Sequence, residues 1–313
     1  MNWTNPLILQ RADPQLSLHE GRYFFAASVP SFDAIELRAA AEIGELAAAE
    51  PVIVWHKHAT GPMSWHVWAP ELHRIDGRWT IYFAASEIDD IWKLRMYVLE
   101  CQGDDPLQED AWVERGQIHT PIEGFSLDAT PFEHAGKHYL CWAQKDPATE
   151  SNLYLAELAN PWTLATAPLL ISRPELAWER IGFLVNEGPS VLKRNGRVFI
   201  SYSASATDAN YCMGLLWADE NADLLDPASW HKAAQPVFAS ANGQYGPGHN
   251  SFTTSKDGKT DLLVYHARNY RDIDGDPLHD PNRHARVQPF GWCADGLPNF
   301  GTPLADGPCL TPD

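Results

Sequence analysis

The sequence predicts an all-β fold, a five-bladed β-propeller forming one domain over residues 1–313, and three observations predict it. Turn glycines recur at Gly21, Gly77, Gly136, Gly196 and Gly258, in steps of 56, 59, 60 and 62 residues. An aromatic or aliphatic run follows each of them. Eight or nine positions before each lies a chemically prominent residue: Asp13, Trp68, Asp128, Glu187 and His249. Near-constant steps of this size mark a repeat in which each period is one supersecondary unit.

Within each unit the glycine sits in a polar turn: HEGRY, IDGRW, HAGKH, KRNGR and SKDGK. Glycine supplies positive φ at no steric cost, so polar-Gly pairs favour tight hairpin loops. The runs behind these turns (YFFAAS, WTIYFAAS, HYLCWA, VFISYSAS, DLLVYHA) are rich in β-branched and aromatic residues and read as strands. The segments before them, such as DATPFEH, EGPSVLKR and NSFTTSKD, are also strand-like. Third strands follow at LRMYVLEC (94–101), SNLYLAEL (151–158) and CMGLLWAD (212–219). Three or four short antiparallel strands per period make a propeller blade. Pro, Gly and Asp crowd the connections, as at Gly103-Asp104-Asp105-Pro106, Asp226-Pro227 and 271–283. Residues 33–50 are rich in Ala and Glu and locally prefer helix. The blade pattern instead expects a strand over Ile35 to Ala39, followed by at most a short helical turn.

Composition narrows the function. The net charge is −18, from 23 basic and 41 acidic residues. That is the wrong sign for a nucleic-acid surface or an anionic membrane, and suits a neutral ligand such as a sugar. The five cysteines are scattered and odd in number, the N-terminus has no basic, apolar leader, and no run approaches 18 apolar residues. These features lead to the expectation of a cytoplasmic enzyme.

In a propeller the first strand of each blade lines the central axis. Asp13, Trp68, Asp128, Glu187 and His249 are therefore expected to face one another across the mouth of a funnel. An aspartate before proline often does no more than form a turn; the shared register is what singles these acids out. Carboxyl groups crowded in one pocket repel, and burial raises their proton affinity further. Groups split in this way suit acid and base roles at neutral pH, the pair that glycoside hydrolysis needs.

The motifs RADPQ (11–15), WHVWAPELH (65–73), LDATPF (127–132), NEGPSVLK (186–193), GPGHNSF (246–252), the long segment 266–292 and DGLPNFG (295–301) together resemble glycoside hydrolase family 43. The resemblance covers nearly the whole chain and implies a five-bladed propeller with inverting activity on arabinans or xylans. It implies Asp13 as general base, Glu187 as general acid and Asp128 as the carboxylate that orients the acid and raises its pKa. Inversion needs roughly 6.5–9.5 Å between acid and base, to admit a water. By the same resemblance Arg286 binds the sugar and helps keep Asp13 ionised, and Trp68 and His66 shape the sugar pocket. His249 corresponds to a histidine near a channel ion, often calcium; no cofactor is needed for the chemistry. The segment 266–292 looks most like the arabinan-processing branch. The expected partner is thus arabinan or arabino-oligosaccharide, with neither nucleic acid nor membrane, and the expected enzyme an exo-acting α-L-arabinofuranosidase. A β-xylosidase or endo-arabinanase of the same family stays open, as does a sugar-binding propeller without catalysis. A retaining fructan-type propeller hydrolase is disfavoured, because Gly188 rather than a cysteine follows Glu187.

Overall fold

A computed structural model describes residues 2–146 and 150–310. Five sheets follow one another along the chain, each continuous in sequence. Blade 1 comprises Ala12–His19, Arg22–Ser28, Ala34–Ala40 and Val52–His56. Blade 2 comprises Trp65–Ile75, Arg78–Glu87, Asp90–Cys101 and Trp112–Gln117. In blade 3, Ser126–His134, Lys137–Lys145 and Ser151–Asn160 are flanked by Thr163–Leu164 and Leu169–Ser172, which both pair with the third strand. Blade 4 has Asn186–Arg194, Arg197–Ala204, Cys212–Asp219 and His231–Lys232; blade 5 has Tyr245–Thr254, Asp261–Arg268, His284–Trp292 and Pro298–Asn299. The Ala/Glu-rich stretch forms the strand Ala34–Ala40 and then one 3₁₀ turn, Ile43–Glu45. Its Ile35 and Leu37 are buried between blades 1 and 2, so tertiary burial overrides local helix preference.

The core is five apolar seams, one between each pair of neighbouring blades. Phe24, Leu37, Phe83 and Leu99 pack between blades 1 and 2, and Tyr82, Met96, Trp142 and Ala156 between blades 2 and 3. Cys141, Leu155, Ile200 and Leu216 fill the next seam, then Phe199, Leu215, Leu263 and Tyr265. Leu262, Val264, Leu16 and Phe25 close the ring. Each large side chain buried this way contributes about 1.5–3 kcal/mol. A separate clasp ties the chain ends together: Asn2–Asn5 runs antiparallel to Gly307–Leu310. Trp3 Nε1 and Asn5 Nδ2 both donate to the Val287 carbonyl, at 2.9 and 2.8 Å, which fastens the clasp to blade 5.

Every inner strand carries a bulge near its start, where two residues face one on the second strand. The pairs are Asp13-Pro14, Ala69-Pro70, Asp128-Ala129, Gly188-Pro189 and His249-Asn250. The first residue of each has left-handed φ: 55°, 45°, 56°, 55° and 42°. A bulge leaves a residue out of the ladder, so proline is tolerated at the second position in three blades. The register is thereby sharpened. Asp13, Asp128 and His249 occupy the bulge itself, whereas Trp68 and Glu187 sit one residue earlier, with Ala69 and Gly188 in the bulge. The five residues picked from glycine spacing are neighbours around the axis but do not share one backbone slot.

Candidate active site

A bulge frees an N–H from its own sheet, and a buried N–H must find another acceptor. Four of the five find one on the preceding blade. Ser28 Oγ accepts from Ala69 (2.8 Å), Asp128 Oδ2 from Gly188 (2.9 Å), Ser203 Oγ from His249 (2.7 Å) and His266 Nδ1 from Asp13 (3.0 Å). The ring of bulges is stitched blade to blade, and the stitches bring the ionisable groups together at the mouth.

Asp13 is nearly buried, at 8% exposure. Its Oδ2 accepts from Ser28 Oγ at 2.6 Å, and its Oδ1 lies 3.4 Å from Arg283 Nη1, His249 Nδ1 and His266 Nδ1. Burial alone pushes the carboxyl up, but the charges of His249 and Arg283 outweigh it and hold Asp13 far below the usual carboxylate range. His266 is not one of those cations. Its Nδ1 accepts the Asp13 N–H, and burial depresses its pKa to about 3, so the imidazole is neutral. His249 is the opposite case: Asp13, Asp128 and Glu187 overcome the cost of burial and raise its pKa, so it carries charge readily.

Glu187 is half-buried at the same mouth. Its Oε1 accepts from Tyr211 Oη at 2.8 Å. Burial first and the Asp128 charge second push its pKa to about 7, against a lowering from the tyrosine. Asp128, raised to about 6 by burial, holds the N–H of the residue after Glu187. Tyr211 stacks on His266 (5.7 Å between centroids, 5° between planes) and so links Glu187 to the Asp13 side. Gly188 has no room for a side chain, since a Cβ there would stand 3.0 Å from His249 Cγ.

Trp68 and His66 stack at 4.3 Å on the blade 2 side, with Phe32 edge-on to Trp68 at 5.7 Å and the half-exposed Trp92 completing the wall. His66 Nδ1 donates to the Ile91 carbonyl at 2.9 Å, and burial lowers its pKa, so it serves as a neutral packing surface. The Trp68 indole N–H is buried without a partner among the described residues, as is Arg283 Nε.

One expectation is corrected. Arg286 does not reach the site. Its guanidinium is fully buried and spent on Asp306 (Nε–Oδ1 2.9 Å), the carbonyls of Ala267 and His284, and Asn269 Oδ1. Arg283, three residues earlier and just before the strand His284–Trp292, is the arginine beside Asp13. For the expected channel ion near His249, the described residues supply no ligand cluster of their own. Calcium takes roughly six to eight oxygen ligands, whereas the His249 imidazole faces Asp13 with a raised pKa. Among the described residues no group of three or more His, Cys, Asp or Glu is arranged to hold a metal. In the axial cavity of about 330 Å³ below the mouth, the Glu71 carboxylate is engaged by His73 Nε2 at 2.7 Å. Ser28, Tyr211, His266 and Arg283 carry no signal in the glycine spacing, because they come from ends of second and third strands or the loops between them.

Comparisons with known proteins agree with this geometry. The profile of Glycosyl hydrolases family 43 matches residues 3–298. An extracellular exo-α-(1→5)-L-arabinofuranosidase of Streptomyces avermitilis is 55% identical over 98% of this chain; the chain spans 65% of that relative's length. An extracellular exo-α-(1→5)-L-arabinofuranosidase of Streptomyces chartreusis is 51% identical, over 88% of this chain and 85% of its own. The crystal structure of an α-L-arabinofuranosidase from Lactobacillus brevis superposes with a TM-score of 0.94 at 56% identity, covering 97% of both chains. The cytoplasmic expectation does not stand against two relatives named extracellular. The cysteine argument behind it is left resting on the exposed Cys293 alone. Cys101, Cys141, Cys212 and Cys309 are free but buried, so they need no reducing compartment to stay unpaired.

Proposed function

This chain belongs to glycosyl hydrolase family 43, and we propose that it is an inverting, exo-acting α-L-arabinofuranosidase that removes single L-arabinose units from α-1,5-linked arabino-oligosaccharides or arabinan. One observation carries the chemistry: at a single mouth one carboxyl, Asp13, is held ionised while another, Glu187, is held protonated up to about pH 7. A binding protein gains nothing from that split; a glycosidase requires it. The substrate rests on the relatives, whose names specify exo action on α-(1→5)-linked arabinose.

In the proposed reaction a water between Asp13 and the sugar attacks the anomeric carbon and passes its proton to Asp13. The glycosidic C–O bond breaks, and the Glu187 proton goes to the departing oxygen. Ser28 and Arg283 fix the Asp13 carboxylate that receives the proton of the water. Asp128 keeps the Glu187 proton affinity high and orients the backbone behind it. Trp68, backed by His66, supplies aromatic wall for the sugar. The extracellular relatives favour work on polymer fragments outside the cell.

Product analysis tests the assignment. Linear arabinan is expected to release arabinose as its only small product from the first time point, and α-1,5-arabinotriose to give arabinose and arabinobiose in equal amounts at first. A ladder of oligomers would make the enzyme endo-acting, and faster cleavage of xylobiose than of arabinobiose would move it to the xylose branch.

A further inference from the structure

The segment 173–185, between blades 3 and 4, holds a second buried charge that the chemistry above does not use. Glu179 ends a 3₁₀ turn, Ala177–Glu179, and its side chain is completely inaccessible. Its Oε1 accepts from Tyr202 Oη (2.8 Å), from Asn186 Nδ2 (3.1 Å) and from Lys232 Nζ (2.7 Å). Its Oε2 accepts from the N–H groups of Glu175 (2.9 Å) and Leu176 (2.8 Å), and from Lys232 Nζ at 2.9 Å. One carboxylate thus ties together the inter-blade segment, the second strand of blade 4 and the outer strand of blade 4. Ser205 Oγ adds a further tie, accepting from Ile181 N–H at 2.9 Å and donating to the Trp178 carbonyl at 2.8 Å.

A buried ion pair is a poor source of net stability, because desolvation consumes most of the Coulomb gain. What a fully satisfied one supplies is a defined geometry, and the geometry here ends next to Glu187. Asn186 is fully buried, takes a hydrogen bond from Ser172 Oγ at 2.7 Å on its Oδ1, and gives one to Glu179 on its Nδ2. Neighbours on a strand point to opposite faces, so anchoring Asn186 in the seam fixes the direction in which Glu187 leaves the backbone. On the far side of Glu187 the Gly188 N–H is held by Asp128. The acid is clamped from both sequence neighbours, by one carboxylate inside the mouth and another outside it.

We propose that Glu179 is a positioning residue for proton delivery: through Asn186 it sets where Glu187 meets the leaving-group oxygen. The proposal rests on Glu187 being the general acid. A displacement of about 1 Å at a reacting group costs on the order of 10²-fold in rate. Only the step that needs the proton pays that loss. A sugar leaves as a poor leaving group and needs the acid; a nitrophenolate leaves with little help.

The test measures kcat/KM for α-1,5-arabinobiose and for 4-nitrophenyl α-L-arabinofuranoside in Glu179→Gln, Asn186→Ala and Glu187→Ala. Glutamine keeps the shape at 179 but turns an NH₂ toward donors. Asn186→Ala cuts the link from Glu179 to the strand, together with the Ser172 hydrogen bond, and leaves the Glu179–Lys232 pair whole. Both variants are expected to lose about 10²-fold on arabinobiose, with little change on the aryl substrate and little change in KM. If Glu179→Gln does not fold, Asn186→Ala carries the test. Equal losses on both substrates, or none on either, in folded variants would overturn the proposal while Glu187→Ala still shows the leaving-group signature. If Glu187→Ala lacks that signature, the acid assignment fails and the proposal falls with it.

Discussion

Replacing Glu187 by Gln is expected to lower kcat/KM on α-1,5-arabinobiose by about 10³-fold, within the range for removal of a general acid, and to cost far less on 4-nitrophenyl α-L-arabinofuranoside. The amide keeps the hydrogen bond from Tyr211 available and the mouth filled, so the loss isolates the proton. The same variant tests the pH dependence. As the proposed acid Glu187 acts when protonated, and burial together with the Asp128 charge puts its pKa at about 7. Wild-type kcat/KM is therefore expected to fall as pH rises through about 7, where the proton is lost. Asp13, held low by His249 and Arg283, stays ionised well below the usual carboxylate range, so it sets no limb near neutrality. In Glu187→Gln the basic limb should vanish from the arabinobiose profile. A limb unchanged in position would assign it to another group.

Asp13→Ala is expected to abolish hydrolysis of both substrates, by about 10⁴-fold, the upper range for a general base that also holds the nucleophilic water. Unlike the acid variant, it should not discriminate by leaving group, since water activation is needed in both reactions. Removing the side chain leaves room beside Ser28 and Arg283 for a small anion. Added azide needs no base. It is expected to restore turnover of the aryl substrate and give the glycosyl azide of inverted configuration, with Glu187 still supplying the proton. A retained azide would place the anion on the leaving-group face and contradict the assignment of Asp13. Chromatography of the product and its anomeric coupling constant decide between the two.

The hairpins were legible because glycine turns and β-rich runs act over five to ten residues, a range the sequence displays directly. Asp13 and Asp128 were legible because bulges need special backbone, and aspartate tolerates left-handed φ better than most residues. Glu187 was found, though one residue off the bulge, since glycine takes the strained position in that blade. Arg286 and Arg283 show where such reasoning ends. Both lie in the same motif, DPNRHAR, but Arg286 is already within the strand and pairs in register with Tyr265, away from the mouth. Only Arg283, at the strand's upper end, reaches Asp13. Tyr211 and His266 were invisible for a related reason: each touches a residue on another strand, at 24 and 253 positions' separation. Glu179 reads in sequence as one more surface acid, and only the packing of two blades turns it into a buried charge.

Proton NMR of the first sugar released from α-1,5-arabinobiose tests the central claim most directly, because it reads the face from which water attacks. Asp13 and Glu187 acting as base and acid on opposite faces predict β-L-arabinofuranose first, with the α-anomer appearing only by mutarotation. An initial α-anomer would mean retention, a covalent intermediate, and a different role for Asp13.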